Sequence, residues 1–150
     1  MSSENQESQQ QFVIQRIYNK NLSFETTQTP AVFQKKWEPE LNVELNTTHT
    51  ELEKNIYEVS LTVTATVKNA QEIAFLVEVQ QAGIFTIEGT SPEQLQHILE
   101  SFCPNILFPY VRETISSLVS KGSFPPLMLA PINFDALYMQ KNQAQKEDVQ

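Results

Sequence analysis

Cysteine, glycine and basic side chains are scarce in this chain of 150 residues. With Cys103 alone, no intrachain disulfide can form, and a reducing compartment is the natural expectation. Three glycines, Gly83, Gly89 and Gly122, leave little from which to build a phosphate-cradling loop. Ten basic residues against eighteen acidic ones give a net charge of −8, which argues against a nucleic-acid surface. The same charge fits partners that carry positive charge, or simply keeps the protein soluble. No run approaches the ~20 apolar residues that a bilayer crossing needs. The opening MSSENQESQQQ lacks both the basic and the apolar region of a secretory signal. We therefore expect a soluble, cytoplasmic protein without direct membrane insertion, whose residues 1–11 form a disordered tail.

Catalytic and metal motifs are missing too. There is no CxxC, HxH, HExxH or GxSxG, and the possible ligands His49, His97 and Cys103 are scattered. Cys103, next to Pro104, reads as a small packed residue rather than a nucleophile. His97 reads as a surface or interface histidine. The residues offer no catalytic constellation, and the many carboxylates of the strands read better as a solvated face than as acid/base pairs.

What is present is period-two alternation, then helical spacing. FVIQRIYNKNLSF (Phe12 to Phe24) is a strand by its aromatic and β-branched content. In ELNVELN (Glu40 to Asn46) the residues Leu41, Val43 and Leu45 share a face. In YEVSLTVTATVK (Tyr57 to Lys68) the alternation is cleaner still. After a turn at Asn69 to Gln71, Glu72 to Ile87 gives a fourth strand, bent near Gly83. There Ala74 and Leu76 share a face with Glu78 and Gln80, while Ile73, Phe75, Val77 and Val79 fill the other. Sheets with one wet face are antiparallel. Ser91-Pro92-Glu93-Gln94 starts a helix as a capping box, which Pro104 should end. A second helix follows, with Pro109 in its first turn and Lys121-Gly122 as its stop. Asn133 caps a last helix that frays into the polar KNQAQKEDVQ. Strands first and helices after make an α+β fold with one core.

Two stretches ask for a functional reading. The crossover between the first two strands, Thr26 to Pro39, is long and carries Phe33 and the only tryptophan, Trp37. SFPPLMLAPINFDALY (Ser123 to Tyr138) is apolar but cut by Pro125, Pro126 and Pro131, so its first part cannot be regular structure. It is either a connector lying flat over the core or a groove wall offering Phe124, Leu127, Met128 and Leu129 to another chain. From the residues alone the two readings are even.

The motifs IQRIY (Ile14 to Tyr18), EVQQAGIF (Glu78 to Phe85), CPNILFPY (Cys103 to Tyr110) and GSFPPLMLAPINFDALY (Gly122 to Tyr138) closely resemble the bacterial protein-export chaperone family SecB. The likeness runs in order from about Phe12 to Met139. It implies a chaperone domain over residues 12–140 and a flexible tail over residues 141–150. That domain would be a four-stranded antiparallel sheet followed by a long helix and a C-terminal helix on one face, assembled as a homotetramer, a dimer of dimers. The implied function is ATP-independent holding of unfolded precursor proteins and their delivery to the translocation ATPase SecA. With it comes the expectation of a protein that is not an enzyme and needs no cofactor or metal. The implied client groove comprises Phe33, Trp37, Phe124, Leu127, Met128, Leu129, Phe134, Leu137 and Tyr138. The implied SecA face includes Asn21, Glu25, Leu76 and Glu78. The family commonly has an acidic residue where this chain has Asn21, so one negative contact is absent here. The rival is an oligomeric binding or assembly module whose apolar segment is a subunit interface, with no client groove.

Overall fold

Alternating β-branched and polar residues produce four long strands, in sheet order β1-β4-β3-β2, all antiparallel. They are β1 (Gln11–Glu25), β2 (Pro39–Glu53), β3 (Ile56–Asn69) and β4 (Glu72–Glu88). The computed structural model describes residues 9–149, with side chains through residue 145. The tail expected at residues 1–11 falls mostly outside the described residues, and β1 already begins at Gln11. One sheet face is dry. Val59, Leu61, Val63, Val77, Val79 and Phe85 are fully buried there, each worth roughly 1.5–3 kcal/mol of hydrophobic stabilisation.

The dry face is covered by one helical rod rather than by two separate helices. α1 (Pro92–His97) passes through a π-turn (Ile98–Phe102) into α2 (Cys103–Lys121). Pro104 therefore does not end the helix as its ring would in regular α geometry. The turn before it is widened, with the Cys103 N–H donating to the Ile98 carbonyl five residues back, which relieves the clash between a proline ring and the preceding turn. Pro109 lies well inside α2, not in its first turn. Its ring lies on the exposed side of the helix. The start matches expectation: Ser91 Oγ accepts from the Gln94 N–H at 3.2 Å, and Gln94 Oε1 from the Ser91 N–H at 3.1 Å. Val111, Ile115 and Val119 bury the inner face of α2 against β3 and β4.

Three further differences have local causes. β4 carries a bulge: Val67 pairs with Phe75 but Lys68 with Ile73, leaving Ala74 unpaired. An extra residue reverses the alternation, so Ala74 is buried and Ile73 is exposed, the opposite of the expected faces. β2 extends well past Asn46 because Thr47 to Glu53 pair with β3 without needing an apolar face. The last helix, α3 (Phe134–Val149), begins under an Asn133 cap, with Oδ1 accepting from the Ala136 N–H at 3.0 Å. It continues through Val149 instead of fraying, consistent with the helix-favouring Gln, Ala, Lys and Glu of that stretch.

The stop of α2 differs from its sequence signature. Gly122 keeps a negative φ of −82°, and Ser123 takes the left-handed conformation at φ 66°. Ser123 N–H then donates to the Ser120 carbonyl at 3.0 Å and Phe124 N–H to the Val119 carbonyl at 3.3 Å, closing the helix. Gly122 is needed for space, since a Cβ there would lie 2.6 Å from the Phe24 ring. Opposite effects at neighbouring positions follow. Ser123→Gly should raise unfolding stability by about 1 kcal/mol by relieving the left-handed strain. Gly122→Ala should lower it by about 1–3 kcal/mol through overpacking. Urea unfolding of both variants is the check, and a destabilised Ser123→Gly would refute the assignment.

Candidate functional site

The proline-cut connector delivers Phe124 to the centre of an aromatic cluster. Its ring lies 4.8 Å from Phe75 on β4, 5.3 Å from Phe33, 5.6 Å from Trp37 and 6.5 Å from Phe24 on β1. Phe124 itself is only 6% exposed, whereas Phe33 is 50% exposed and Trp37 half-buried. The result is an apolar wall with a buried base and an open rim. The crossover loop that supplies the rim is anchored by buried Val32 in a short 3-10 turn (Ala31–Gln34) and by a Lys35–Glu72 ion pair at 3.0 Å. A third anchor is Asn69 at the end of β3, whose side chain bonds Glu38 N–H at 2.7 Å and the Lys36 carbonyl at 3.1 Å.

α3 builds a second apolar region. Phe134 is buried against Phe108, with ring centroids 5.9 Å apart. Leu137 and Tyr138 join Phe134, Leu45 and Thr47 around a small crevice of about 60 Å³. On the same side of β2, Leu41 and Val43 remain exposed. Leu127 and Leu129 pack on the core beside the connector, half-buried and buried respectively. Met128 goes elsewhere. It is 71% exposed and faces a hollow with Arg112, Ser116 and Ser120 on the outer side of α2. The expected groove residues thus divide among a Phe124 cluster, an α3 crevice and an outlying Met128.

Polar contacts hold α3 in place. Asp135 Oδ1 accepts from the Ser101 hydroxyl and contacts His97 Nε2 at 2.7 Å, Tyr138 stacks on His97 at 5.0 Å, and Lys141 pairs with Glu100 at 3.0 Å. Ser101 and His97 share Asp135 as acceptor, so this is not the order in which a histidine draws a proton from a serine. Cys103 is fully buried and its thiol is pushed up to about 12 by burial, far from a nucleophilic thiolate. Among the described residues no group of three or more His, Cys, Asp or Glu side chains is placed to hold a metal ion.

The other sheet face is polar. Register brings Glu25 opposite Leu76, Ser23 opposite Glu78 and Asn21 opposite Gln80, so all four residues expected to meet SecA share this face on adjacent strands. Glu78 accepts from Thr64 Oγ1 at 3.0 Å. Glu58, on the same face, is neutralised by Lys20 at 2.9 Å and bonded by the Tyr18 hydroxyl. Those bonds, the tyrosine's foremost, hold the Glu58 carboxyl below its usual range, while burial and Glu58 push Tyr18 up to about 12. Neither Glu25 nor Glu78 is in an ion pair among the described residues, so their charge stays available.

Residues 5–145 match the family model described as Preprotein translocase subunit SecB. The chain belongs to the SecB family. A protein-export protein SecB from Legionella pneumophila strain Philadelphia 1 is 65% identical over 141 residues, covering 94% of this chain and 87% of that one. The SecB of Methylococcus capsulatus is 53% identical over 150 residues, covering 100% and 97%. Among solved structures, a Mycobacterium tuberculosis SecB-like chaperone in complex with a ChAD peptide from the HigA1 antitoxin superposes with a TM-score of 0.68. It is 16% identical, over 81% of this chain and 90% of that one, and so shares the fold. The SecB resemblance and the four-stranded sheet with its long and C-terminal helices are therefore established for this chain. No described helix is long and apolar enough to cross a membrane.

Phe24, Phe75, Asn69, Ser101 and Asp135 belong to these same regions and were not singled out by sequence. Phe24 and Phe75 carry a signal in strand periodicity. The Asn69, Ser101 and Asp135 bonds span more than thirty residues and leave no local trace. The Asp135 attachment gives a pH test. Ser101 first and His97 second hold its carboxyl below the usual range. A carboxyl lowered on folding contributes above the unfolded carboxylate pKa, and that contribution is lost as pH falls through the lowered value. We expect α3 to stay docked at neutral pH and loosen only in acid, below the ordinary carboxylate range. Asp135→Ala should loosen it at neutral pH. Amide exchange over residues 134–141, corrected for intrinsic rates, reads this; wild-type protection in the variant would show that the other contacts of α3 hold it without Asp135.

Proposed function

We propose that this SecB-family protein is an ATP-independent cytoplasmic holdase. It binds unfolded precursor proteins along apolar grooves, keeps them competent for translocation and delivers them to SecA. The observation that carries this reading is the half-exposed Phe33–Trp37 rim on a buried Phe124 base, an apolar surface open to solvent and packed from beneath. Phe134, Leu137 and Tyr138 would extend the groove along α3, with Leu127 and Leu129 as its floor. A SecB-like fold bound to a peptide in the tuberculosis protein supports polypeptide binding by this architecture.

The energetics suit holding rather than trapping. Three client anchors of roughly 1.5–3 kcal/mol each give about 5–9 kcal/mol, and ordering a disordered client costs about 2–5 kcal/mol. A surplus of a few kcal/mol per groove makes release easy. A homotetramer, a dimer of dimers, would recover affinity through effective concentration. The charge of −8 favours clients with basic stretches near their apolar ones. No catalytic step enters this reading. Met128 favours the rival reading for itself alone, because its position outside α2 suits a contact between subunits.

The purified protein should suppress aggregation of an unfolded precursor without nucleotide and have the solution mass of a tetramer; a strict ATP requirement would refute the holdase. Glu78, unpaired on the polar face beside Leu76 and Glu25, supports a SecA contact there. Glu78→Lys should weaken SecA binding at least severalfold and leave client binding unchanged, measured by titration of each partner. Equal loss of both would reject that face.

A further inference from the structure

We propose that Asn69 is the positioning residue of the client wall: one buried side-chain amide clamps the backbone on both sides of Trp37. The proposal rests on the groove reading above and deepens it. Asn69 is only 2% exposed and ends β3. Its Oδ1 accepts from the Glu38 N–H at 2.7 Å, and its Nδ2 donates to the Lys36 carbonyl at 3.1 Å. Both backbone groups flank Trp37, whose ring then meets Phe124 at 5.6 Å and 35°.

Other attachments near Trp37 are weaker or lie to one side: the Lys36–Glu38 ion pair at 3.1 Å joins the same two residues but is open to water, and the sheet pairing of Pro39 with Asn69 begins only after Glu38. Val32 anchors the loop five residues earlier, and the Lys35–Glu72 pair is largely exposed, where such pairs contribute little. Pro39, next along the chain, has no N–H to offer the sheet. An apolar residue in place of Asn69 would leave the Glu38 donor and the Lys36 acceptor without their partner, so the segment would move to find water. A Trp37 held in advance spares client binding the cost of ordering the loop. The amide matters because it is donor and acceptor at once.

Trp37 is the only tryptophan, so its emission reports this one position. Asn69→Ala should red-shift that emission and increase acrylamide quenching without any client present. It should also speed release of a labelled, reduced and carbamidomethylated lysozyme, a permanently unfolded chain that stays basic because the blocking group is neutral, by about 10-fold. Ser91→Ala is the control: it removes a helix cap remote from the loop and should lower the melting temperature while changing neither readout. Wild-type emission and release in Asn69→Ala, whatever its melting temperature, would overturn the proposal. Should that variant fail to fold, amide exchange in the wild-type chain decides. The Glu38 N–H should be protected, and exchange at the free-peptide rate would overturn the clamp. Trp37→Ala separates the two ideas. If it binds client like wild type, the groove reading falls with the client half of the proposal, while the emission shift still judges the clamp.

Discussion

Phe124 is where the chain's separate segments meet. It takes its place because Ser123 turns left-handed and reverses the chain directly after α2. The ring then contacts β1 through Phe24, β4 through Phe75 and the crossover loop through Phe33 and Trp37. Each aromatic pair is worth about 0.5–1.5 kcal/mol beyond its buried area, so the cluster ties the crossover loop and the connector to the paired strands β1 and β4. Prolines then keep the segment extended. Pro125 and Pro126 prevent a return to helix, and the connector runs across the core to the Asn133 cap. The apolar, irregular character of this stretch is what lets one residue join sheet, loop and helix.

The two sheet faces divide the molecule's chemistry. The dry face is sealed by α1, the π-turn and α2 over β3 and β4, but β2 extends past that cover. Leu41 and Val43 are exposed for this reason, and they continue the apolar surface begun at α3. The polar face carries threonines and carboxylates, with Glu58 already neutralised by Lys20. An apolar client and an acidic-face partner would therefore meet opposite sides of one rigid sheet and need not compete. That separation suits an export chaperone, which must bind its receiver before giving up its cargo.

The elements were legible wherever one face of the chain had a single environment. Alternation in Tyr57 to Lys68 and the Ser91 capping box gave β3 and the start of α1 almost to the residue. Reading failed where neighbours changed the local rule. The Ala74 bulge inverted Ile73 and Ala74, the π-turn carried the helix through Pro104, and β2 persisted on backbone pairing alone. At the site, aromatic content pointed to Phe33, Trp37 and Phe124. Sequence could not say that Met128 lies apart from them, since that depends on which way the connector crosses α2. Asn69 was read only as part of a turn, because a side chain's long-range partners do not alter local spacing.

A groove that holds weakly needs at least one wall that is ordered in advance, or ordering it would consume the small surplus from burying a client. The structure meets this with attachments that are largely independent. The rim at Trp37 is held by Asn69 and Phe124, and α3 is held by Phe134 with Asp135, Ser101 and Lys141. The first set is buried amide and aromatic; the second is mostly exposed polar contact around a single buried ring. Exposed pairs contribute little individually, so α3 is the more easily displaced wall. In the proposed groove a client would therefore meet a firmly held surface at Trp37 and a less firmly held one at α3. The first would offer apolar anchors of varied sequence a preformed seat, and the second would admit chains of varied bulk.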